Sequence, residues 1–216
     1  MPELGFQVID ARPESISASP LLILKLEIAN EGPQDQIQTI ALRCQIQIEA
    51  TRRRYSSKEQ ERLLDLYGEP ARWGQTLKTM LWTHTNAVVG PFTNGTIIDL
   101  PVPCTFDFNV AASKYFAGLE DGEIPICLQF SGTIFYVNDS GALQVSQIPW
   151  NKEARYRLPV AIWHEMMEIY YPNGAWLFLR RDVFDRMNRY KMRRGIPTWD
   201  QTIESLLSVI DEEVPS

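Results

Sequence analysis

The chain has 216 residues, 44% hydrophobic and 22% charged, the proportions of an ordinary globular protein with a sizeable core. Its formal net charge of −6 and isoelectric point near 5.1 argue against a general polyanion binder. No apolar run is long enough to span a bilayer, because "PLLILKLEIA" is broken by Lys25 and Glu27. Residues 1–15 lack the basic and apolar regions of a secretory signal, so the expectation is a cytoplasmic protein without membrane insertion.

The first two-thirds read as β. "LLILKLEI" places Leu22, Leu24, Leu26 and Ile28 on one face, and "IALRCQIQIEA" does the same with Ile40, Leu42, Cys44, Ile46 and Ile48. Such alternation marks strands with one buried and one wet face. Ile97 to Leu100, "CTFDFNV", "IPICLQFSGTIFYV" and "ALQVSQI" continue the series, separated by the turn-forming "PFTNG", "EDGEIP" and "VNDSG". One helix interrupts them near residues 57–67. Ser57 with Gln60, or Ser56 with Glu59, supplies a capping box, and Gly68 a stop.

After about residue 155 the pattern turns helical. Pro159 fits a first helical position, Pro172 ends that segment, and Asp182 and Gly195 bracket "VFDRMNRYKMRR". Thr198 with Gln201 caps "WDQTIESLLSVI", and the acidic tail "DEEVPS" should fray. The expected fold is α+β: an antiparallel β-sandwich over residues 1–150 with one inserted helix, then a helical subdomain over 151–216 packed on it.

Chemistry-bearing motifs are sparse. "AIWHEMMEIYYP" resembles the start of a zinc-protease helix, but the residue three beyond Glu165 is Glu168 and not a second histidine. His164 and Glu168 share a helix face, yet the only other histidine is His84, in a β segment. A solvated helix face is the reading, with a metal-dependent enzyme at His164 and Glu168 as a third hypothesis. There is no Gly-x-Ser-x-Gly elbow and no phosphate-cradling glycine loop. Glu120, Asp121 and Glu123 sit in a turn. Cys44, Cys104 and Cys127 are spaced for neither a metal cluster nor a disulfide scaffold, and two of them read as buried strand thiols. No catalytic, cofactor-binding or metal residue is assigned.

Charge distribution is more informative. Between Trp176 and Arg194 seven basic residues face two acidic ones, a local charge of +5 in an acidic chain. Arg186, Arg189 and Arg193 line one side of that helix, and Val183, Met187 and Tyr190 fall on another. This is either a solvated face or a docking surface for an acidic protein; without a recognition motif nucleic acid is not expected. A second cluster, Arg52 to Arg54, reads as a surface loop. A third, "IPWNKEARYRLP", mixes Trp150 with Arg155 and Arg157, the composition of an interface hot spot or of a packed interdomain connection.

The segments "RRRYSSKEQERLLDLYG", "LWTHTNAVVGPF", "DLPVPCTFDFNVAASKYF", "DGEIPICLQFSGTIFY" and "RRGIPTWD" together resemble an uncharacterised bacterial family whose members look like companions of high-affinity nickel–iron hydrogenases. That resemblance spans nearly the whole chain. It implies a role, an accessory or assembly factor, and not a reaction. The first hypothesis is therefore a non-catalytic protein without cofactors that binds a protein partner, hydrogenase subunits or their maturation proteins among the candidates. Trp150, Arg155, Arg157, Arg186, Arg189 and Arg193 are the expected contact residues. The second is a small-ligand module with a pocket between sandwich and helices.

Overall fold

A computed structural model describes residues 2–32, 35–105, 110–138, 140–174, 177 and 179–213, with side chains as far as residue 208. It divides into two compact units, Met1–Gly174 and Ala175–Ser216.

The first unit holds two antiparallel sheets. β1 (Leu4–Pro13), β2 (Leu21–Asn30) and β5 (Gly95–Pro103) form one, in the order β1-β2-β5. In the other, β3 (Gln36–Ile48) lies between β4 (Met80–Val89) and the long β6 (Glu123–Val137). β7 (Leu143–Gln147) and β8 (Glu153–Pro159) then pair the two ends of β6. The alternating residues do what their period requires: Leu22, Leu24, Leu26 and Ile28 of one sheet, and Ile40, Leu42, Cys44, Ile46 and Ile48 of the other, are all buried. Phe6 stacks on Phe130 with ring centroids 4.2 Å apart, joining β1 to β6 across the core.

The fold is thus α+β with a sandwich body, and several details differ from the sequence reading. β1 was not visible because a bulge between Val8 and Asp10 shifts its inward set from Leu4 and Val8 to Ala11, breaking strict alternation. The single inserted helix is two short ones, α1 (Ser57–Arg62) and α2 (Leu64–Tyr67), with a break at Leu63. α3 (Trp73–Thr76) and α4 (Val110–Gly118) follow before β4 and β6. Of the two capping boxes offered, the structure forms Ser56 with Glu59, and Gly68 closes α2 at φ 70°. Of "CTFDFNV", Cys104 and Thr105 lie past the end of β5 at Pro103 and Val110 opens α4; residues 106–109 lie outside the described set.

α4 buries one broad face. Ala112, Ser113, Tyr115, Phe116 and Gly118 are covered, and the exposed stripe is Ala111, Lys114 and Ala117, so a single charged residue marks its outer face in sequence. Phe116 stacks on Trp163 at 4.2 Å and meets Trp82 edge-on at 4.9 Å, tying α4 to β4 and to α5 (Val160–Tyr170).

The expected boundary at 150/151 is displaced. β8 inserts Ala154 and Leu158 into the core and α5 buries Val160, Trp163 and Met166, so the chain to Gly174 belongs with the sheets. Pro159 is the residue before α5, not its first.

The second unit is a pair of helices, α6 (Arg181–Arg194) and α7 (Trp199–Glu213). Arg180, not Asp182, stands at the N-cap of α6, and Gly195 ends it in the left-handed region at φ 64°. Thr198 Oγ1 accepts from the Gln201 amide at 3.2 Å, the cap read from sequence. Phe184 packs on Trp199 at 5.1 Å, and the Tyr190 and Ser205 hydroxyls meet at 3.0 Å. The helix covers Asp211 to Glu213 of the tail expected to fray; residues 214–216 lie outside the described set.

One position in the sheet admits no side chain. Gly132 of β6 lies opposite Leu42 at φ 142°, and a Cβ there would stand 2.1 Å from the Ala41 carbonyl oxygen. No flexible side chain can yield to relieve that contact. Gly132→Ala should therefore lower the unfolding free energy by about 2 kcal/mol or more, measured by urea denaturation. Gly90→Ala, where nothing lies within 4 Å of the added methyl, should be close to neutral.

Candidate functional site

Residues apart in sequence come together where β3 leaves its sheet. After Ile48 the chain turns through a short 3-10 segment, Ala50–Arg52, beside β8. This brings Arg52, Arg53 and Arg54 next to Arg155 and Arg157, which β8 turns away from the core. Arg52, Arg53, Arg54 and Arg157 share one open depression of about 680 Å³ with Glu59, Asp121 and Glu123.

The three adjacent arginines meet three environments. Arg53 is buried and pairs with buried Glu59, their side chains 7% and 3% exposed. It also donates to the Glu123 carbonyl at 2.9 Å and the Asp121 carbonyl at 2.7 Å. Glu59 accepts from the Ser56 amide at 2.9 Å and the Glu120 amide at 3.0 Å. Burial pushes the Glu59 carboxyl up, but these amides and the Arg53 guanidinium outweigh it and hold it below its ordinary range. Arg52 is exposed and shares Glu49 with Arg155, at 3.3 and 3.6 Å. Arg54 is exposed and has no ion pair among the described residues.

Arg155 also meets Glu153 at 2.9 Å, and Arg157 meets Glu123 at 3.6 Å. Such exposed pairs contribute about 0–1 kcal/mol each, so they do not lock the arginines. They do neutralise much of the charge. Five arginines here stand among Glu49, Glu59, Asp121, Glu123 and Glu153, and the patch is far less basic than the sequence clusters suggest.

Trp150 is not a packed connection. It occupies the turn between β7 and β8 and is 93% exposed. Its indole borders a depression of about 640 Å³ on the outer face of the five-stranded sheet, with Arg43, Gln45, His84, Asn86, Gln129 and Ser131. Sequence reading did not find these polar partners, because they come from three strands whose register it could not supply. Trp73, Trp82 and Trp163 are core residues, Trp199 lies between helices of the second unit, and Trp176 lies outside the described residues.

In the second unit Arg186, Arg189 and Arg193 are exposed along α6, and none has an ion pair among the described residues. Val183, Met187 and Tyr190 occupy the half-buried side, as the spacing predicts. Arg180 pairs with Asp182 at 3.0 Å, while Lys191 and Arg194 lie over the Trp199 and Tyr190 rings.

His164, Glu165 and Glu168 are exposed on α5, and no group of three or more His, Cys, Asp or Glu side chains among the described residues is placed to hold a metal ion. Cys44 and Cys127 are buried in strands and Cys104 just after one. Burial pushes the Cys44 and Cys104 thiols up to about 12, and burial with Glu153 and Glu49 nearby takes Cys127 to about 11, so all three are protonated near neutrality. No helix among the described residues is long and apolar enough to cross a membrane.

The sequence matches one family over residues 1–215, and the chain belongs to it: the family of unknown function DUF6084. No curated protein matches the chain. Among solved structures, it is similar to the CARDB domain of a Pyrococcus furiosus protein in complex with di-metal ions, at 11% identity and a TM-score of 0.27, over 73% of this chain and 87% of that one. It is similar also to a Bordetella pertussis protein named for ApaA, at 13% identity and a TM-score of 0.27, over 73% of this chain and 93% of that one. Both likenesses are too distant to bear on function.

The buried pair is testable apart from any partner. Arg53→Met leaves the Glu59 carboxylate buried without its cation and should cost about 3–5 kcal/mol in urea unfolding. Because the folded Glu59 carboxyl is lowered, its contribution is full above the ordinary carboxylate pKa of about 4.3 and disappears as pH falls through the lower, folded value. Glu59→Gln should therefore flatten the acid limb of the stability–pH curve. A limb as steep as wild type would show that other carboxylates dominate it.

Proposed function

We propose that this DUF6084 member is a non-catalytic accessory protein that holds a protein partner through the basic side of α6. The observation that carries the reading is the row Arg186, Arg189 and Arg193: exposed, three and four residues apart, and without ion pairs among the described residues. Three guanidinium forks on one helix face suit carboxylates of an acidic partner segment, each fork able to make paired hydrogen bonds. Arg155 and Arg157 are secondary anchors in this reading, since carboxylates of their own chain already engage them.

The acidic net charge of the whole chain favours a protein over nucleic acid. The sequence resemblance makes nickel–iron hydrogenase subunits and their maturation proteins the partners to test first, and a cytoplasmic location belongs to the same proposal. Protonated, buried thiols suit a protein that holds a polypeptide rather than one that carries metal through cysteine.

Affinity capture with the tagged full chain, read by mass spectrometry, tests it. Wild type should recover hydrogenase subunits or maturation proteins in stoichiometric amounts. Combined Arg186→Glu, Arg189→Glu and Arg193→Glu should reduce recovery at least about tenfold, with an unchanged thermal melt. Recovery by the reversed variant equal to wild type would remove α6 as the contact surface.

A further inference from the structure

The outer face of the five-stranded sheet carries an arrangement that the partner reading does not use. Pairing aligns His84, Gln45 and Gln129 in one row across β4, β3 and β6, and Asn86, Arg43 and Ser131 in the next. Two inter-strand spacings of about 4.8 Å make each row about 10 Å long. Trp150 stands at the β6 end, where the Phe130 amide bonds the Lys152 carbonyl at 2.9 Å and so holds the turn against that strand.

The first row is ordered before any ligand arrives. Gln45 Nε2 donates to Gln129 Oε1 at 3.2 Å, and Gln47 Nε2 donates to the same oxygen at 3.4 Å. With its oxygen taken twice, Gln129 presents its NH2 group as the remaining donor. Gln45 Oε1 lies 3.1 Å from His84 Nε2. An amide oxygen can only accept, so Nε2 is the donor in this contact. The second row adds an amide, a guanidinium and a hydroxyl. The face therefore offers both donors and acceptors, the first row held by its own hydrogen bonds, and a single arginine, Arg43.

Beside it stands an indole that gives the fold nothing. Tryptophan is among the most buried residues on average, and at 93% exposure Trp150 leaves both ring faces to solvent. This combination selects among ligands. An anion would call for more than one cation. A nucleic acid would bring its phosphates to an acidic chain. A peptide strand would pair with a sheet edge, whereas these groups lie on the face of β3 and its neighbours, inside the sheet. A neutral sugar fits all three features: its C–H face stacks on an indole, its hydroxyls both donate and accept, and two rings span a row.

We propose that the Trp150 face is a carbohydrate-binding site for a neutral oligosaccharide, with Trp150 as stacking platform and the His84–Gln45–Gln129 and Asn86–Arg43–Ser131 rows as hydroxyl partners. It lies in a different unit from α6 and stands independently of the protein partner.

The test is calorimetric titration of the full chain with maltohexaose, cellohexaose, laminarihexaose and chitohexaose, followed in parallel by tryptophan fluorescence. One of the four should bind saturably with a Kd of about 1 mM or tighter. Trp150→Ala should weaken that binding at least about tenfold, as should Asn86→Ala combined with Gln129→Ala, while the α6 charge reversals should leave it unchanged. All these positions are exposed, so the variants keep the core intact. No saturable heat with any of the four sugars would overturn the site, and so would binding that survives Trp150→Ala. Binding of only a sulfated oligosaccharide such as heparin hexasaccharide would overturn the neutral-ligand assignment. Loss of protein capture in Trp150→Ala, without sugar binding in wild type, would give the face to the partner instead.

Discussion

The two-residue period of β3 and β6 is the constraint on which both the core and the outer face depend. Every second residue of β3 from Ile40 to Ile48 is buried, and its neighbours Arg43, Gln45 and Gln47 must point the other way. A slip of one residue against β6 would carry an arginine and two glutamines into the apolar interior, which no local rearrangement could offset. Register is thus held by the core, and the close approach of Gly132 to the Ala41 carbonyl narrows it further. The polar rows across β4, β3 and β6 follow from this: once the inner face is fixed, the partner of each outer residue is fixed as well.

Magnitudes sort the charged groups in the same way. Arg53 and Glu59 are both buried, and each has further hydrogen bonds, to the Asp121 and Glu123 carbonyls and to the Ser56 and Glu120 amides. Removing one partner there strands a charge, a cost of several kcal/mol. The network joins the start of α1 to the turn that feeds β6, so a single ion pair positions a helix and the longest strand together. The Arg155–Glu153 and Arg157–Glu123 pairs are exposed on both sides, and each is worth less than about 1 kcal/mol. Their geometry can change at little cost when something else approaches.

Several of the periods and caps written in the sequence are formed in the structure. β2 alternates from Leu24 to Ile28 and β3 from Ile40 to Ile48, the Ser56–Glu59 box and Gly68 bound α1 and α2, and Gly195 and Thr198 mark the turn between α6 and α7. Elements that break or hide a period did not show: β1 changes phase at its bulge, α4 is covered on most sides, and β8 offers Ala154 as one of its inward residues. The candidate surfaces divide similarly. Arg186, Arg189 and Arg193 are visible because a helix brings near neighbours together. Trp150 was visible by composition, but its companions His84, Gln45 and Gln129 belong to three strands and meet only through register.

The two proposed surfaces also differ in what fixes them. Side chains on β4, β3 and β6 stand on a backbone laddered on both sides at β3, and the amide row holds its own orientation, so little freedom remains to be lost on binding. The α6 arginines are long and unpaired among the described residues, free to adapt but costly to order. Salt should separate them: charge pairing by α6 weakens as the Debye length falls from about 10 Å at 0.1 M to about 3 Å at 1 M, whereas stacking and neutral hydrogen bonds on the Trp150 face do not rest on long-range charge. A rigid, mainly uncharged face and an adaptable charged helix in one chain could thus be engaged independently, each under conditions that leave the other largely unaffected.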